Sequence, residues 1–78
     1  MSQKIIDAIN KQIQEELYSA YLYQSMAAFA SYTNLDGVAN WFSIQAKEEM
    51  DHATGLYNFL LERGGQVYTN PCLLRYLP

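Results

Sequence analysis

The sequence predicts an all-α fold, an antiparallel hairpin of two long helices that makes half of a four-helix bundle. Three observations carry that prediction. Residues 2–32 contain neither Gly nor Pro and consist mostly of good helix formers. The stretch "TNLDG" at residues 33–37 supplies a cluster of turn residues, after which helix-forming composition resumes as far as "RGG" at residues 63–65. In both segments the inward-reading positions recur at alternating steps of four and three, the spacing of helices that pack on other helices.

The first helix is expected over residues 2–32, and the second follows "TNLDG" and runs to Arg63. Asn34 or Asp36 can cap the second by accepting a hydrogen bond from one of its free amides. Arg63 in the last turn, followed by Gly64 and Gly65, is the stop signal, because glycine takes a left-handed cap at little cost. Gly55 lies inside the second helix and weakens it by about 1 kcal/mol relative to alanine. Each helix spans roughly 40 Å at about 1.5 Å per residue, and so short a connection lays the two antiparallel. The hairpin thus occupies residues 1–64. The remainder, "GQVYTNPCLLRYLP" at residues 65–78, loses the helical period and holds both prolines. It reads as a non-helical tail whose Val67, Leu73, Leu74, Tyr76 and Leu77 can cover an apolar groove.

A chain of 78 residues is one small domain and buries only about 60% of the surface its unfolded form exposes. Half of its residues are hydrophobic, seven of them tyrosine, which excludes a disordered chain and leaves more apolar surface than a short monomer hides. A homo-oligomer, at least a dimer, is therefore expected. Five Lys and Arg against eight Asp and Glu give a net charge of -3, with the basic residues scattered, so nucleic acid is not an expected partner. Nor is a membrane, since no apolar run reaches spanning length and the amphipathic, early-acidic start is unlike a signal peptide. The lone Cys72 cannot form an intrachain disulfide and fits a reducing compartment, so a cytoplasmic location is expected.

The chemistry lies where polar residues interrupt the inward stripes. These stripes read Ile9, Ile13, Glu16, Ala20, Tyr23, Ala27, Ala30 on the first helix and Val38, Phe42, Gln45, Glu49, His52, Leu56, Phe59 on the second. In an antiparallel hairpin Glu16 comes level with Glu49 and His52, which are three residues apart and project from nearly one face. Buried ionised carboxylates need a counter-charge, and no Lys or Arg falls on either stripe. A divalent cation would supply it. Carboxylate oxygen with imidazole nitrogen and no thiolate suits iron or manganese and admits zinc. Each residue also has a plainer reading. Glu16 can be an edge carboxylate paired with Lys11 or with a lysine of a partner chain, His52 a neutral core histidine, and Glu48 a solvated neighbour of Lys47 and Asp51. Tyr23 either packs or donates a hydrogen bond to a metal-bound carboxylate or oxygen species, and Gln45 is open in the same way.

The pair "EELYSAYLYQSM" (residues 15–26) and "QAKEEMDHA" (residues 45–53) resembles the first two helices of a bacterial non-haem ferritin, over roughly residues 1–65. The resemblance implies that Glu16, Glu49 and His52 are ligands of a ferroxidase iron, with Glu49 bridging to a second iron. It implies also that Tyr23 is the tyrosine beside that centre and that Glu48 serves an accessory iron site. Such proteins bind ferrous iron, oxidise it with dioxygen and store the ferric product in a hollow shell. Family subunits are about twice as long, and the second half, which completes the second iron site, has no counterpart here. Two hairpins related by a two-fold axis would restore the family's set, in which two helices give one Glu each and two give Glu-x-x-His. Ferritin-like proteins of only two helices, the encapsulated type, build a di-iron site between subunits in this way. The expected function is thus ferroxidase activity linked to iron storage, in a centre between two chains. Two other functions stay open: a truncated ferritin-derived structural bundle without turnover, and a non-catalytic metal-binding assembly module.

Overall fold

The structure, a computed structural model, describes residues 1–68, and there it consists of two α-helices with no strand. Helix α1 is Gln3–Tyr32 and helix α2 is Asp36–Glu62. They form the antiparallel hairpin that the sequence predicts. Glu16 lies beside His52, and two turns nearer the bend Tyr23 packs on Trp41 and Phe42.

Local chemistry sets the helix ends. Ser2 has extended backbone angles, and its hydroxyl accepts the Ile5 N–H at 3.3 Å, which satisfies one of the free amides of α1. Both C-termini then close in the same way. At the end of α1, Leu35 N–H donates to the Ala30 carbonyl (2.8 Å) and Asn34 N–H to Ser31 (3.1 Å), around Asn34 at φ 63°. At the end of α2, Gly65 N–H donates to Leu60 (2.9 Å) and Gly64 N–H to Leu61 (3.0 Å), around Gly64 at φ 74°. These are Schellman closures, in which a left-handed residue returns two amides to otherwise orphaned carbonyls. Gly65 is needed for a different reason, because a Cβ there would lie 2.5 Å from Leu60 Cδ1.

The expected cap of α2 is corrected. Asn34 is committed to closing α1, and the N-cap position belongs to Leu35, which has no side-chain acceptor. Asp36 instead occupies the first turn, where its charge complements the helix dipole.

The seam between the helices is built from small residues. The buried apolar residues are Ile13, Ala20, Ala27 and Ala30 of α1 with Ala46, Ala53 and Leu60 of α2. On α1 the expected stripe holds from Ile9 to Ala30, each position buried or half-buried. On α2 it is turned by one residue at alternate positions. Phe42, Glu49 and Leu56 face the seam as expected, but Ala46, Ala53 and Leu60 are buried in place of Gln45, His52 and Phe59. Two stripes of mean period 3.5 share Phe42, Glu49 and Leu56. The closer one wins because alanine lets helices approach where larger side chains cannot.

Where the chain leaves α2, buried Asn10 anchors it. Its Nδ2 donates to the Ile6 and Gln66 carbonyls (3.0 and 2.9 Å) and its Oδ1 accepts the Tyr68 N–H at 3.0 Å. Tyr68 also donates its hydroxyl to Asp7 at 2.7 Å. The groove-covering role expected for Leu73, Leu74, Tyr76 and Leu77, and the position of Cys72, lie outside the described residues. No helix among those residues is long and apolar enough to cross a membrane.

Candidate metal centre

Halfway along the hairpin, Glu16 of α1 and Glu49 of α2 sit on the seam, and His52 stands three residues beyond Glu49 on its flank. One ligand atom from each of the three lies within 4.8 Å of the other two. That spacing is compact enough for all three to touch one ion. Glu16 Oε2 is 3.6 Å from His52 Nδ1, and neither glutamate pairs with a lysine or arginine among the described residues. Lys11, one of the two partners that the plainer reading of Glu16 allows, makes no ion pair with it there. Gln12 takes that place, its Nε2 donating to Glu16 Oε1 at 2.9 Å.

Exposure divides the group. The Glu16 side chain is 17% exposed and that of His52 61%, so His52 is not a core histidine within one chain. The imidazole stands at the exposed rim of the group. The two carboxyl groups lie close enough to share a proton. The hydrogen bond from Glu49 holds Glu16 below the usual carboxylate range, and the same bond with Glu16 holds Glu49 above it. Two half-buried carboxyl groups hydrogen-bonded to one another fit a divalent ion, which would take the place of the proton between them and accept the imidazole as a third donor.

The other residues singled out in the sequence fall outside this cluster. Glu48 is exposed and contributes no atom to the group. Tyr23 is half-buried two turns along α1 from Glu16, its ring 6.0 Å from that of Phe42 and 6.4 Å from that of Trp41. Gln45 is half-buried one turn from Glu49. Gln12 was not legible as a partner of Glu16, although its i to i+4 spacing is the available signal.

Two long antiparallel helices with glutamates and a histidine meeting at mid-height have the architecture of a metal-carrying helical bundle. The family model described as Ferritin-like domain matches residues 6–74, and the chain belongs to that family. It is 38% identical over 64 residues to the bacterial non-heme ferritin of Staphylococcus saprophyticus, a match covering 82% of this chain and 38% of that protein. The bacterial non-heme ferritin of Staphylococcus aureus strain USA300 is likewise 38% identical over 64 residues. Among solved structures, an engineered closed form of the Archaeoglobus fulgidus ferritin superposes with a TM-score of 0.86 at 44% identity. A humanized archaeal ferritin gives 0.87 at 43%. Each match covers 90% of this chain and 43% of the other. The chain thus spans about two fifths of the length of the relatives it matches.

Proposed function

We propose that the chain binds ferrous iron and oxidises it with dioxygen in a centre formed between two hairpins, as a ferroxidase linked to iron storage. The observation that carries this is the convergence of one ligand atom each from Glu16, Glu49 and His52 within 4.8 Å. Membership of the ferritin-like family supports iron as the ion. One hairpin offers three protein donors, too few to hold two irons. Two offer six, and the symmetric set provides a pair of adjacent sites.

In this reading Glu16 and His52 would hold an iron from opposite helices, and Glu49 would supply the carboxylate shared between the two metal positions. Gln12 fixes the orientation of the Glu16 carboxylate through its 2.9 Å hydrogen bond. Two ferrous ions held side by side supply the two electrons that take dioxygen to the peroxide level. Tyr23, one helical turn past buried Ala20 on the same stripe, is assigned to hydrogen bonding beside the centre, and exposed Glu48 to an accessory iron position. The cytoplasm, where ferrous iron is available, is the compartment that this function requires. Manganese and zinc are competing ions for the same donors.

Anaerobic titration with ferrous iron, with oligomer mass recorded throughout and followed by a pulse of oxygen, tests the proposal. Saturation near two irons per dimer with rapid oxygen uptake is expected. Tight binding without oxygen uptake would make the chain a metal-binding assembly module, and a stable oligomer that binds no iron would leave a ferritin-derived structural bundle.

A further inference from the structure

Toward the bend the hairpin holds an open apolar groove of about 380 Å³ whose walls include Met26, Phe29, Ala30, Val38 and Phe42. Phe29 is 69% exposed, and Met26 and Val38 are exposed beside it. The groove begins at Ser25, nine residues or about 14 Å along α1 from Glu16. Filling it therefore removes apolar surface from water and leaves the metal group open.

Direction, reach and sequence pattern point to what fills it. Helix α2 runs away from the bend and stops at Glu62. The Gln66 carbonyl and the Tyr68 amide are nevertheless both held by Asn10, about two turns inside α1. The backbone has thus doubled back toward the bend by Tyr68, and the hydrogen bond from the Tyr68 hydroxyl to Asp7 fastens it there. From that anchor an extended chain advances about 3.1 Å per residue, which takes Leu74 about 19 Å along the hairpin, Tyr76 about 25 Å and Leu77 about 28 Å. The exposed Leu22, Met26 and Phe29 lie about 18, 24 and 28 Å along α1 from Asn10. In "CLLRYL" (residues 72–77), moreover, Leu73 and Leu74 recur three residues on as Tyr76 and Leu77, with Arg75 between the pairs. A chain of three residues per turn, which Pro71 favours, places these four on two adjoining faces and Arg75 on the third.

We infer that residues 73–77 dock in the groove of their own hairpin, with Tyr76 and Leu77 against Met26, Phe29 and Val38 and with Arg75 in solvent. Attachment at Tyr68 holds the segment near the groove at an effective concentration in the millimolar range, so a separate molecule competes at a disadvantage. The apolar end of the hairpin is then closed within one chain, while its carboxylate-bearing middle stays free. This docking requires no metal.

A distance within one molecule tests it. The full chain carrying Tyr32→Cys, Arg75→Cys and Cys72→Ser is spin-labelled at both cysteines and diluted with excess unlabelled protein. Tyr32 is 87% exposed and lies about 33 Å along α1 from Asn10, whereas docking brings Arg75 about 22 Å along the same line. Pulsed electron–electron resonance is therefore expected to give a narrow distribution near roughly 20 Å. A broad distribution extending beyond about 35 Å overturns the inference. So does a short distance found only between chains labelled singly at 32 and at 75, which would place the segment on a second copy. Phe29→Asp, at an exposed groove position, should lengthen the distance, and Ile44→Asp, exposed but outside the groove, should leave it short. Equal behaviour of these two variants also overturns the inference, because the groove would then not be what holds the segment.

Discussion

Two polar groups interrupt the inner face of this hairpin, and they are finished to different degrees. At the open end Asn10 is 5% exposed, and both ends of its amide are used by Ile6, Gln66 and Tyr68 of the same chain. At mid-height the hydrogen bond between the Glu16 and Glu49 carboxyl groups holds the first below and the second above the usual range, His52 stands at the rim, and no lysine or arginine among the described residues answers them. Burial tolerates polar groups that are fully satisfied and penalises those that are not. A satisfied polar group in a seam is architecture. Two carboxyl groups set side by side with no basic residue among the described ones to answer them mark where a cation from outside fits.

The sharpest way to break this contrast is to remove the unfinished group. Glu49→Ala is expected to lower ferrous-iron affinity more than about 100-fold, since a ligand should cost at least as much as the residues that orient it. Its metal-free stability should change little, because the hydrogen bond to Glu16 and the residual repulsion between the two carboxyl groups are lost together. Calorimetric titration beside thermal unfolding reads both. Equal loss of stability with and without iron would mean that Glu49 is structural after all.

Removing the finished group should do the opposite. Asn10→Ala leaves the Gln66 carbonyl and the Tyr68 amide without their partner and is expected to cost about 2 kcal/mol, a fall in midpoint on the order of 10 °C. Its iron affinity per folded chain should stay at the wild-type value. A shift in iron affinity would show that the two ends of the hairpin are coupled.

Gln12→Leu tests the residue that connects the metal group to its own helix. Loss of the Nε2 donor to Glu16 is expected to weaken iron binding roughly 10-fold with little change in helicity or melting, and Gln12→Glu to weaken it further by adding a like charge. Unaltered binding in both variants would remove Gln12 from the site.

The smallest effect concerns the Tyr68 hydroxyl. Its hydrogen bond, ahead of the one from Gln3, holds Asp7 below its usual range, and the carboxylate in turn holds the phenol above its own. A depressed carboxylate stabilises the fold above its unfolded value and loses that contribution as pH falls through the folded one. A raised phenol contributes below its unfolded value and loses this as pH rises. Tyr68→Phe should therefore melt slightly lower than wild type between about pH 4 and pH 10, with the gap closing at either limit. A gap that persists at pH 3 would assign the loss to packing instead.

The sequence made most of this contrast legible on one helix and part of it on the other. The phase of α1 was readable because Ile9, Ile13, Ala20, Ala27 and Ala30 leave only one stripe. On α2 the larger residues Val38 and Phe59 favoured the wrong flank, and the alanines that the seam selects carry too little apolar area to announce themselves. Glu49 belongs to both stripes, so its placement survived, while His52 moved from the expected core to the rim. Asn10 gave no warning. Its partners at Gln66 and Tyr68 are more than fifty residues away, and a lone asparagine inside a helix looks only like a weak helix former. The bend was misassigned at one point for a related reason, since Asn34 could serve either helix and the left-handed closure of α1 claimed it.

The alanine seam carries a final consequence. Ala20 lies one turn from Glu16, and Ala46 and Ala53 flank Glu49 on either side, all of them buried. These methyl groups set how far apart the two backbones ride, and so act as calipers for the gap between the carboxylates. Changing Ala46 to Val would wedge the helices at the position nearest Glu49 and widen that gap without touching a ligand. The hairpin then would favour a larger ion over a smaller one, so that metal preference in this chain would be tuned by its smallest side chains.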